Sequence, residues 1–172
     1  SRVEKRTCDV QKFWDSGILN PKSNVQFGEG GAGTFSDGKL NTSVKDPSGR
    51  NRLVLETFVR FGADPSILYD NKPHIGTDVL SEVIVNMREF LVDKGATFVF
   101  DTCVNNLDIV SQKLLSVYTD SDSNSNSEIK TDVCVLALGH SARDTFDMLY
   151  NKGFDMECKS FAVGFRVEHP QK

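Results

Sequence analysis

The sequence lacks the long apolar segments and the basic blocks that mark several large classes of protein. A membrane-spanning helix needs a run of about eighteen or more apolar residues, and neither such a run nor a secretory signal pattern is present. Lys and Arg number 20 against 24 Asp and Glu, which gives a formal net charge of −4. Nucleic acids and anionic membrane surfaces attract clustered Lys and Arg. The sequence therefore predicts an intracellular protein, cytoplasmic or organellar, with neither a membrane nor a nucleic acid as its partner.

Cysteine is also scarce, and none of it is closely spaced. The four cysteines, Cys8, Cys103, Cys134 and Cys158, form no C-x-x-C pair. Because structural metal sites and disulfide frameworks usually have close cysteine spacings, we predict neither. Cys134 lies within an apolar stretch, where we expect a small buried thiol. This use of cysteine suits a reducing compartment.

What is present is the composition of a globular domain. Over 172 residues, 38% are apolar and 26% are charged, which is enough to build a sizeable core. Apolar residues at three-to-four spacing, followed by glycines that can end a helix, predict three helices. These run from about Asp9 to Gly17, over residues 50–61 before Gly62, and from an N-cap at Thr77 to Lys94 before Gly95.

Strand patterns dominate the second half of the chain. We predict a strand over 96–101, directly after the third helix, and two short strands over 107–111 and 113–120. Residues 119–129 contain DSDSNSNSE, which has no apolar residue and predicts a flexible hairpin loop. TDVCVLALG at 131–139 is almost continuously apolar, as is typical of a strand buried on both faces at the centre of a sheet. Together these patterns predict an α/β fold.

A further helix start follows that apolar stretch. In ALGHSARDTFDML, Gly139 and His140 precede Ser141, a good N-cap, and Asp144 lies three residues later in a capping-box arrangement. A buried strand, a glycine and a helix N-terminus together form the place where open α/β sheets bind ligands. An ordinary turn between strand and helix has the same pattern, so both interpretations remain open.

The most glycine-rich motif is FGEGGAGTFSDGKL at residues 27–40. Its glycines match G-x-G-x-x-G, but no helix pattern follows, as a dinucleotide fingerprint requires. It also matches G-x-x-x-x-G-K, but Leu40 follows Lys39 where a Ser or Thr would hold Mg²⁺, which argues against a P-loop phosphotransferase. Glycines let backbone N–H groups approach an anion or a flat ring closely. A loop that cradles a ligand and a surface loop of tight turns remain equally open.

Four motifs in a fixed order relate the chain to known proteins. They are GEGGAGTFSDGKL, KPHIGTD, LALGHSARDT and SFAVGFRVEHPQ, and they extend over nearly the whole chain. With them the chain resembles the family of uncharacterised FAD-dependent dehydrogenases, predicted NAD(P)/FAD-dependent oxidoreductases of the glutathione-reductase-like flavoprotein superfamily. The resemblance implies a partial Rossmann-like FAD/NAD(P)-binding domain, with a parallel sheet, helices and a small β-meander, that lacks its first βαβ unit. It further implies an internal segment, with 1–158 from the FAD-binding domain and 159–172 from the start of a second, substrate or cap domain.

The resemblance also implies where FAD would bind. The glycine loop would face the pyrophosphate and the flavin through backbone N–H groups of Gly30, Gly31 and Ala32. The backbone of Val104 would meet the adenine edge, and the turn at Gly139 would approach the cofactor. The implied FAD-binding residues are Gly28, Glu29, Gly30, Gly31, Ala32, Gly33, Ser36, Asp37, Lys39, Val104, Gly139 and His140.

The implied activity is transfer of hydride or electrons between NAD(P)H, FAD and a small-molecule substrate that the motifs do not identify. His74, His140 and His169 are the acid-base candidates, because histidine titrates near neutrality, although a histidine at the start of a helix is more often only a turn residue. A segment with only part of the FAD contacts is expected to be inactive by itself. The alternative is a non-catalytic nucleotide-binding or scaffold module, which NAD(P)H reduction of a bound flavin would distinguish.

Overall fold

The computed structural model describes residues 1–36, 38–40, 45–121, 127–165 and 167–170. In these residues the chain forms four α-helices, three β-strands and two short 3-10 helices. In chain order they are α1 (Val3–Ser16), the first 3-10 helix (Gly31–Phe35), α2 (Arg50–Arg60), the second 3-10 helix (Pro65–Leu68), α3 (Thr77–Asp93), β1 (Thr102–Val110), β2 (Lys113–Ser121), β3 (Ser127–Lys130) and α4 (Arg143–Asn151).

The three helices predicted before residue 95 are confirmed, and the expected glycines follow them. Gly17, Gly62 and Gly95 have φ angles of 71°, 117° and 91°, a left-handed backbone that glycine adopts without steric cost. α3 differs from the prediction at its start. Gly76 is its N-cap and Thr77 its first helical residue, without a side-chain cap hydrogen bond.

α1 begins at Val3, earlier than the predicted start near Asp9. Its buried positions are Val3, Arg6 and Val10, which follow helical spacing. Because an arginine occupies the second of these inward positions, apolar periodicity alone does not reveal the first turns of the helix. The tertiary structure therefore extends α1 toward the N-terminus.

One apolar core lies between α2, the second 3-10 helix and α3. Its buried members are Ala63, Ile67, Ile75, Leu80 and Val83. Asp64 begins the 3-10 helix by accepting a hydrogen bond from the backbone N–H of Ser66 at 2.8 Å, and Pro65 is the first residue of that helix. α3 packs into this core, and the glycine loop, residues 27–40, contacts α3 through the first 3-10 helix.

The sheet is a small antiparallel meander of order β1-β2-β3. β1 and β2 confirm the two strands predicted on either side of residue 112. They are joined by Ser111 and Gln112, whose φ angles of 50° and 64° form the two-residue turn that suits hairpin twist. Leu107 and Val117 pack with Leu149 of α4 in a second core. The tip of the predicted loop 119–129 lies at residues 122–126, outside the described residues.

The predicted Rossmann-like fold with a parallel sheet is wrong. All strand pairs among the described residues are antiparallel, and residues 131–139 belong to no strand. Val133 and Val135 are 71% and 84% exposed, and Cys134 is exposed rather than a buried thiol. An apolar run becomes a central strand only where strands on both sides supply hydrogen bonds, and the antiparallel ladder supplies none to this run beyond Thr131, whose N–H donates to the carbonyl of Leu115 at 3.1 Å.

Two local predictions are also wrong. The strand predicted over 96–101 is absent, and the ladder begins at Thr102, after Asp101, whose φ of 52° interrupts extended backbone. α4 begins at Arg143, with Ala142 as N-cap and no side-chain cap hydrogen bond, so the capping box at Ser141 does not form. Asp144 lies instead near β1, where its Oδ2 is 3.8 Å from the Sγ of Cys103.

The chain leaves much of its surface uncovered. Its accessible area is 13534 Å², whereas a compact monomer of 19.1 kDa has about 8,400 Å². Phe161 and Phe165 are 84% and 94% exposed in the segment after α4. Phe161 and Phe165, like Val133 and Val135, are therefore largely uncovered by the rest of the chain. Within the described part of the chain, no helix is both long and apolar enough to cross a bilayer.

Candidate functional site

The glycine loop lies against α1 and α3. It leaves α1 through residues 20–27, forms the first 3-10 helix and continues toward α2. The N–H of Glu29 donates to the carbonyl of Ser1 at 3.1 Å, and the N–H of Gly31 donates to Gly28 at 3.2 Å. The loop is therefore folded onto the start of α1, with Gly30, Gly31, Ala32 and Gly33 on its exposed side.

Arg6 of α1 lies beneath this loop and is 0% exposed. Its Nε donates to the carbonyl of Asn24 at 2.7 Å, and its Nη2 donates to that of Val25 at 2.8 Å. Its Nη1 donates to the carbonyl of Glu29 at 2.8 Å and to Oγ1 of Thr34 at 3.2 Å. One guanidinium thus joins α1 to the segment before the loop, at Asn24 and Val25, and to the first part of the loop, at Glu29 and Thr34.

The guanidinium of Arg6 also lies over the ring of Phe35, with Cζ 4.7 Å from the ring centroid. Burial lowers the pKa of Arg6 from its ordinary value. An arginine in a protein remains protonated nonetheless, so a positive charge lies directly under the loop.

A second arginine, Arg88 of α3, holds the side chain of Glu29. Its Nη1 donates to Oε2 of Glu29 at 2.5 Å, and its Nη2 donates to Oε1 of Glu4 at 2.6 Å. The same Oε2 of Glu29 accepts the backbone N–H of Val3 at 2.9 Å. Glu29 therefore connects the loop to both helices.

Glu4 of α1 and Arg88 of α3 shift one another's pKa. The hydrogen bond from Arg88 is the main cause that lowers the pKa of Glu4, and the hydrogen bond to Glu4 is the main cause that raises the pKa of Arg88. Both groups are therefore charged at neutral pH. This pair fixes the distance between α1 and α3 at the base of the loop.

Three of the loop glycines are required by internal packing. A Cβ on Gly28 would lie 2.6 Å from Cδ of Arg6, and one on Gly30 would lie 2.5 Å from Cγ2 of Thr34. A Cβ on Gly38 would overlap the carbonyl oxygen of Ile75. Each of these glycines also has a positive φ. Their presence is explained without a ligand.

Gly31 differs from them. Its φ is 60°, and a Cβ built there would have no atom within 4 Å. Gly33 has nearly as much space, since only Cδ2 of Leu80 lies near its Cβ position, at 3.9 Å. Gly31 and Gly33 thus leave an open approach to the backbone of the loop.

The far end of the loop pairs with the segment before α3. Lys39 forms a β-bridge with His74, and the N–H of Ile75 donates to the carbonyl of Gly38 at 2.9 Å. Ser36 braces the turn by donating from Oγ to the carbonyl of Gly33 at 3.0 Å. Among the implied FAD-binding residues, Asp37 lies outside the described residues. Of the three candidate histidines, His74 is the one that the structure places beside the loop.

The remaining candidates lie in other parts of the chain. Val104 is half-buried in β1 opposite Thr119 and packs against the second core, as any strand valine would. Gly139 and His140 lie in an exposed turn before α4, where a Cβ on Gly139 would have no neighbour within 4 Å. His169 is exposed near the C-terminus, with Nδ1 3.2 Å from the carbonyl oxygen of Pro170.

The chain is similar to a bacterial protein of unassigned activity. The chain is 45% identical over 170 residues to an uncharacterized protein of Clostridium beijerinckii. No family model matches the chain. The alignment covers 99% of this chain but 31% of the bacterial protein, so the chain spans about a third of the length of that curated relative. The likeness assigns no activity.

Sequence reasoning missed the two arginines that build the site. Arg6 lies three residues after Val3 and four before Val10, on the apolar side of α1. Arg88 lies four residues after Ile84 and is buried in α3. A charged residue at an inward helical position is the signal that could have identified both, because a buried charge requires partners.

The other reactive side chains form no comparable site. No group of three or more His, Cys, Asp or Glu within the described ranges is arranged to hold a metal ion. Burial, followed by the nearby carboxylate of Asp144, raises the pKa of the Cys103 thiol. A raised pKa disfavours the thiolate, so Cys103 lacks the character of a nucleophile. The glycine loop is therefore the candidate site.

Proposed function

We propose that this chain is part of an FAD-dependent oxidoreductase, with the glycine loop as part of its FAD-binding site and NAD(P)H as the electron donor. The observation that carries the proposal is the exposed segment from Gly31 to Gly33, which the buried guanidinium of Arg6 holds at Glu29 and Thr34; within it, Gly31 has a φ of 60° and no atom within 4 Å of its Cβ position. Glycine is needed there for backbone conformation, yet the space beside it is open. Such a position allows a ligand to contact the backbone itself.

The loop suits the chemistry of FAD in two respects. Exposed backbone at Gly31, Ala32 and Gly33 can meet a flat ring closely, although the N–H of Gly31 is already donated to the carbonyl of Gly28. The buried guanidinium of Arg6 donates to carbonyls and a hydroxyl, so these hydrogen bonds leave its positive charge available beneath the loop. A positive charge in a region of low dielectric favours the pyrophosphate of a dinucleotide.

When bound, FAD would supply the redox chemistry by accepting two electrons from the nicotinamide, while the protein binds and orients the reactants. His74 is the candidate for holding or releasing a proton beside the loop, because its bridge with Lys39 keeps it there. The substrate would be a small molecule. The four sequence motifs named above support this assignment alongside the geometry.

The experiment is anaerobic reduction of the intact protein by NADH or NADPH. We expect bound flavin in the visible spectrum and its bleaching on addition of one of the two nucleotides. Flavin that binds but is not reduced by either would support a non-catalytic nucleotide-binding module instead. A protein that binds no flavin in a direct FAD titration would refute the proposal altogether.

A further inference from the structure

We propose that Arg6 is a positioning residue for the glycine loop, so that FAD affinity depends on a side chain buried beneath the loop. This inference rests on the proposed function for its consequence on FAD. The ordering of the loop by Arg6 can be tested without any cofactor.

The first argument is the spread of the contacts that Arg6 makes. Its four hydrogen bonds reach residues from Asn24 to Thr34, and its guanidinium also lies over Phe35. Residues 20–28 contain no helix or strand. Their carbonyls therefore have no ladder to pair with, and the guanidinium substitutes for one.

The second argument is that the loop is shaped around this side chain. A Cβ on Gly28 would meet Cδ and Nε of Arg6 at 2.6 and 3.2 Å, so the backbone runs directly against the arginine stem. Any shorter or narrower side chain would leave space beneath Gly28 and remove donors from the carbonyls above it. The exposed segment at Gly31 would then lose its fixed orientation.

The third argument is the geometry of the donor. A guanidinium presents five N–H groups in a rigid plane, whereas an ammonium donates from one atom. The acceptors of Arg6 are contacted by three different nitrogens, Nε, Nη1 and Nη2. Lysine at position 6 can keep the charge but reach only some of these carbonyls, so it should restore the loop in part.

The test compares Arg6→Met, Arg6→Lys and Phe35→Leu in the intact protein. The first readout is hydrogen exchange of the backbone amides of residues 29–36, and the second is FAD affinity measured by flavin fluorescence well below the unfolding temperature. For Arg6→Met we expect faster exchange confined to the loop and an FAD dissociation constant raised by about 10- to 100-fold, the range found when residues that orient the ligands of a metal ion are replaced. Arg6→Lys should fall between Arg6→Met and the wild type. Phe35→Leu should loosen the loop less than Arg6→Met.

Arg52→Met is the matched control. Arg52 also donates to a backbone carbonyl, that of Leu68 at 2.9 Å, but it is exposed on α2. We expect this variant to leave both loop exchange and FAD affinity unchanged. If Arg6→Met does not fold, Arg6→Lys and Phe35→Leu decide the question by the same two readouts.

Unchanged loop exchange and FAD affinity in folded Arg6 variants would overturn the inference, even if their thermal stability fell, because Arg6 would then be only a structural residue. Faster loop exchange in a protein that binds no FAD would refute the proposed function while supporting the ordering role. Faster exchange with unchanged affinity would overturn the link between loop order and FAD. The failure of each proposal is therefore visible separately.

Discussion

Alanine at Gly30 should destabilise the fold more than alanine at Gly31, whereas alanine at Gly31 should directly weaken FAD binding. Both glycines have positive φ, 85° and 60°, at which an L-residue costs about 1–2 kcal/mol. At Gly30 the new Cβ would also lie 2.5 Å from Thr34 Cγ2 and 2.7 Å from Ile84 Cδ1. Such overpacking adds about 1–3 kcal/mol. Gly30→Ala should therefore lower the free energy of unfolding by about 2–5 kcal/mol, and Gly31→Ala by about 1–2 kcal/mol.

FAD binding should be affected directly at Gly31, where the new side chain would lie on the exposed face of the loop. A methyl group at Gly31 projects into the open approach, so Gly31→Ala should weaken FAD binding at least about tenfold, which corresponds to about 1.4 kcal/mol. Its unfolding temperature should fall by about 2–8 °C for a chain of this size. Gly17→Ala is the matched control. Gly17 has a φ of 71° and an equally empty Cβ position, but it ends α1 outside the loop.

Urea denaturation measures the stabilities, and fluorescence titration with FAD measures the affinities. We expect Gly17→Ala and Gly31→Ala to lose similar stability, with FAD affinity reduced in Gly31→Ala alone. Wild-type FAD affinity in Gly31→Ala would refute the idea that ligand approaches the loop at this point. A Gly30→Ala protein no less stable than Gly31→Ala would refute the packing argument for Gly30.

Three further predictions concern two other glycines, the ion pair between Glu4 and Arg88, and the exposed side chain of Val135. Gly38→Ala should destabilise the protein by about 3 kcal/mol or more, because its Cβ overlaps a backbone carbonyl at positive φ, whereas Gly139→Ala should change stability by less than about 0.5 kcal/mol; denaturant midpoints compare the two. The pKa of Glu4 is lowered from its ordinary value of 4.5 by Arg88, so the stability that this pair contributes should be present above pH 4.5 and lost as the pH falls through the lower folded-state value. The free energies of unfolding of Glu4→Gln and wild type, plotted against pH, should therefore converge in acid. A difference that stays constant with pH would contradict the assignment. Val135→Asp should leave the folded 172-residue chain within about 0.5 kcal/mol of wild type by denaturant unfolding, because Val135 is 84% exposed; a large loss would mean that residues 131–139 are buried.

The sequence alone determined the elements whose signals are local. Apolar spacing and terminal glycines located α2 and α3, and short strand patterns located β2 and the second half of β1, whereas the two-residue turn at Ser111 and Gln112 appeared only in the structure. These features depend on helix periodicity, strand alternation and backbone freedom within a few residues. The ligand-loop interpretation of residues 27–40 also began from such a local pattern.

The tertiary structure alone decided which segments pair as strands, which glycines are packed and which charged side chain is buried. Residues 131–139 and 96–101 have strand-like composition but no strand pairing, because pairing depends on distant segments that no local pattern specifies. The glycines of the loop look alike in the sequence, yet Gly28 packs on Arg6 whereas Gly31 faces open space. Arg6 carries a charge, yet it is fully buried because the fold brings together four acceptors that satisfy its guanidinium. Burial and hydrogen-bond partners are properties of the assembled chain, and they separate Gly28 and Gly30, whose Cβ positions are occupied by neighbouring side chains, from Gly31, whose Cβ position is open.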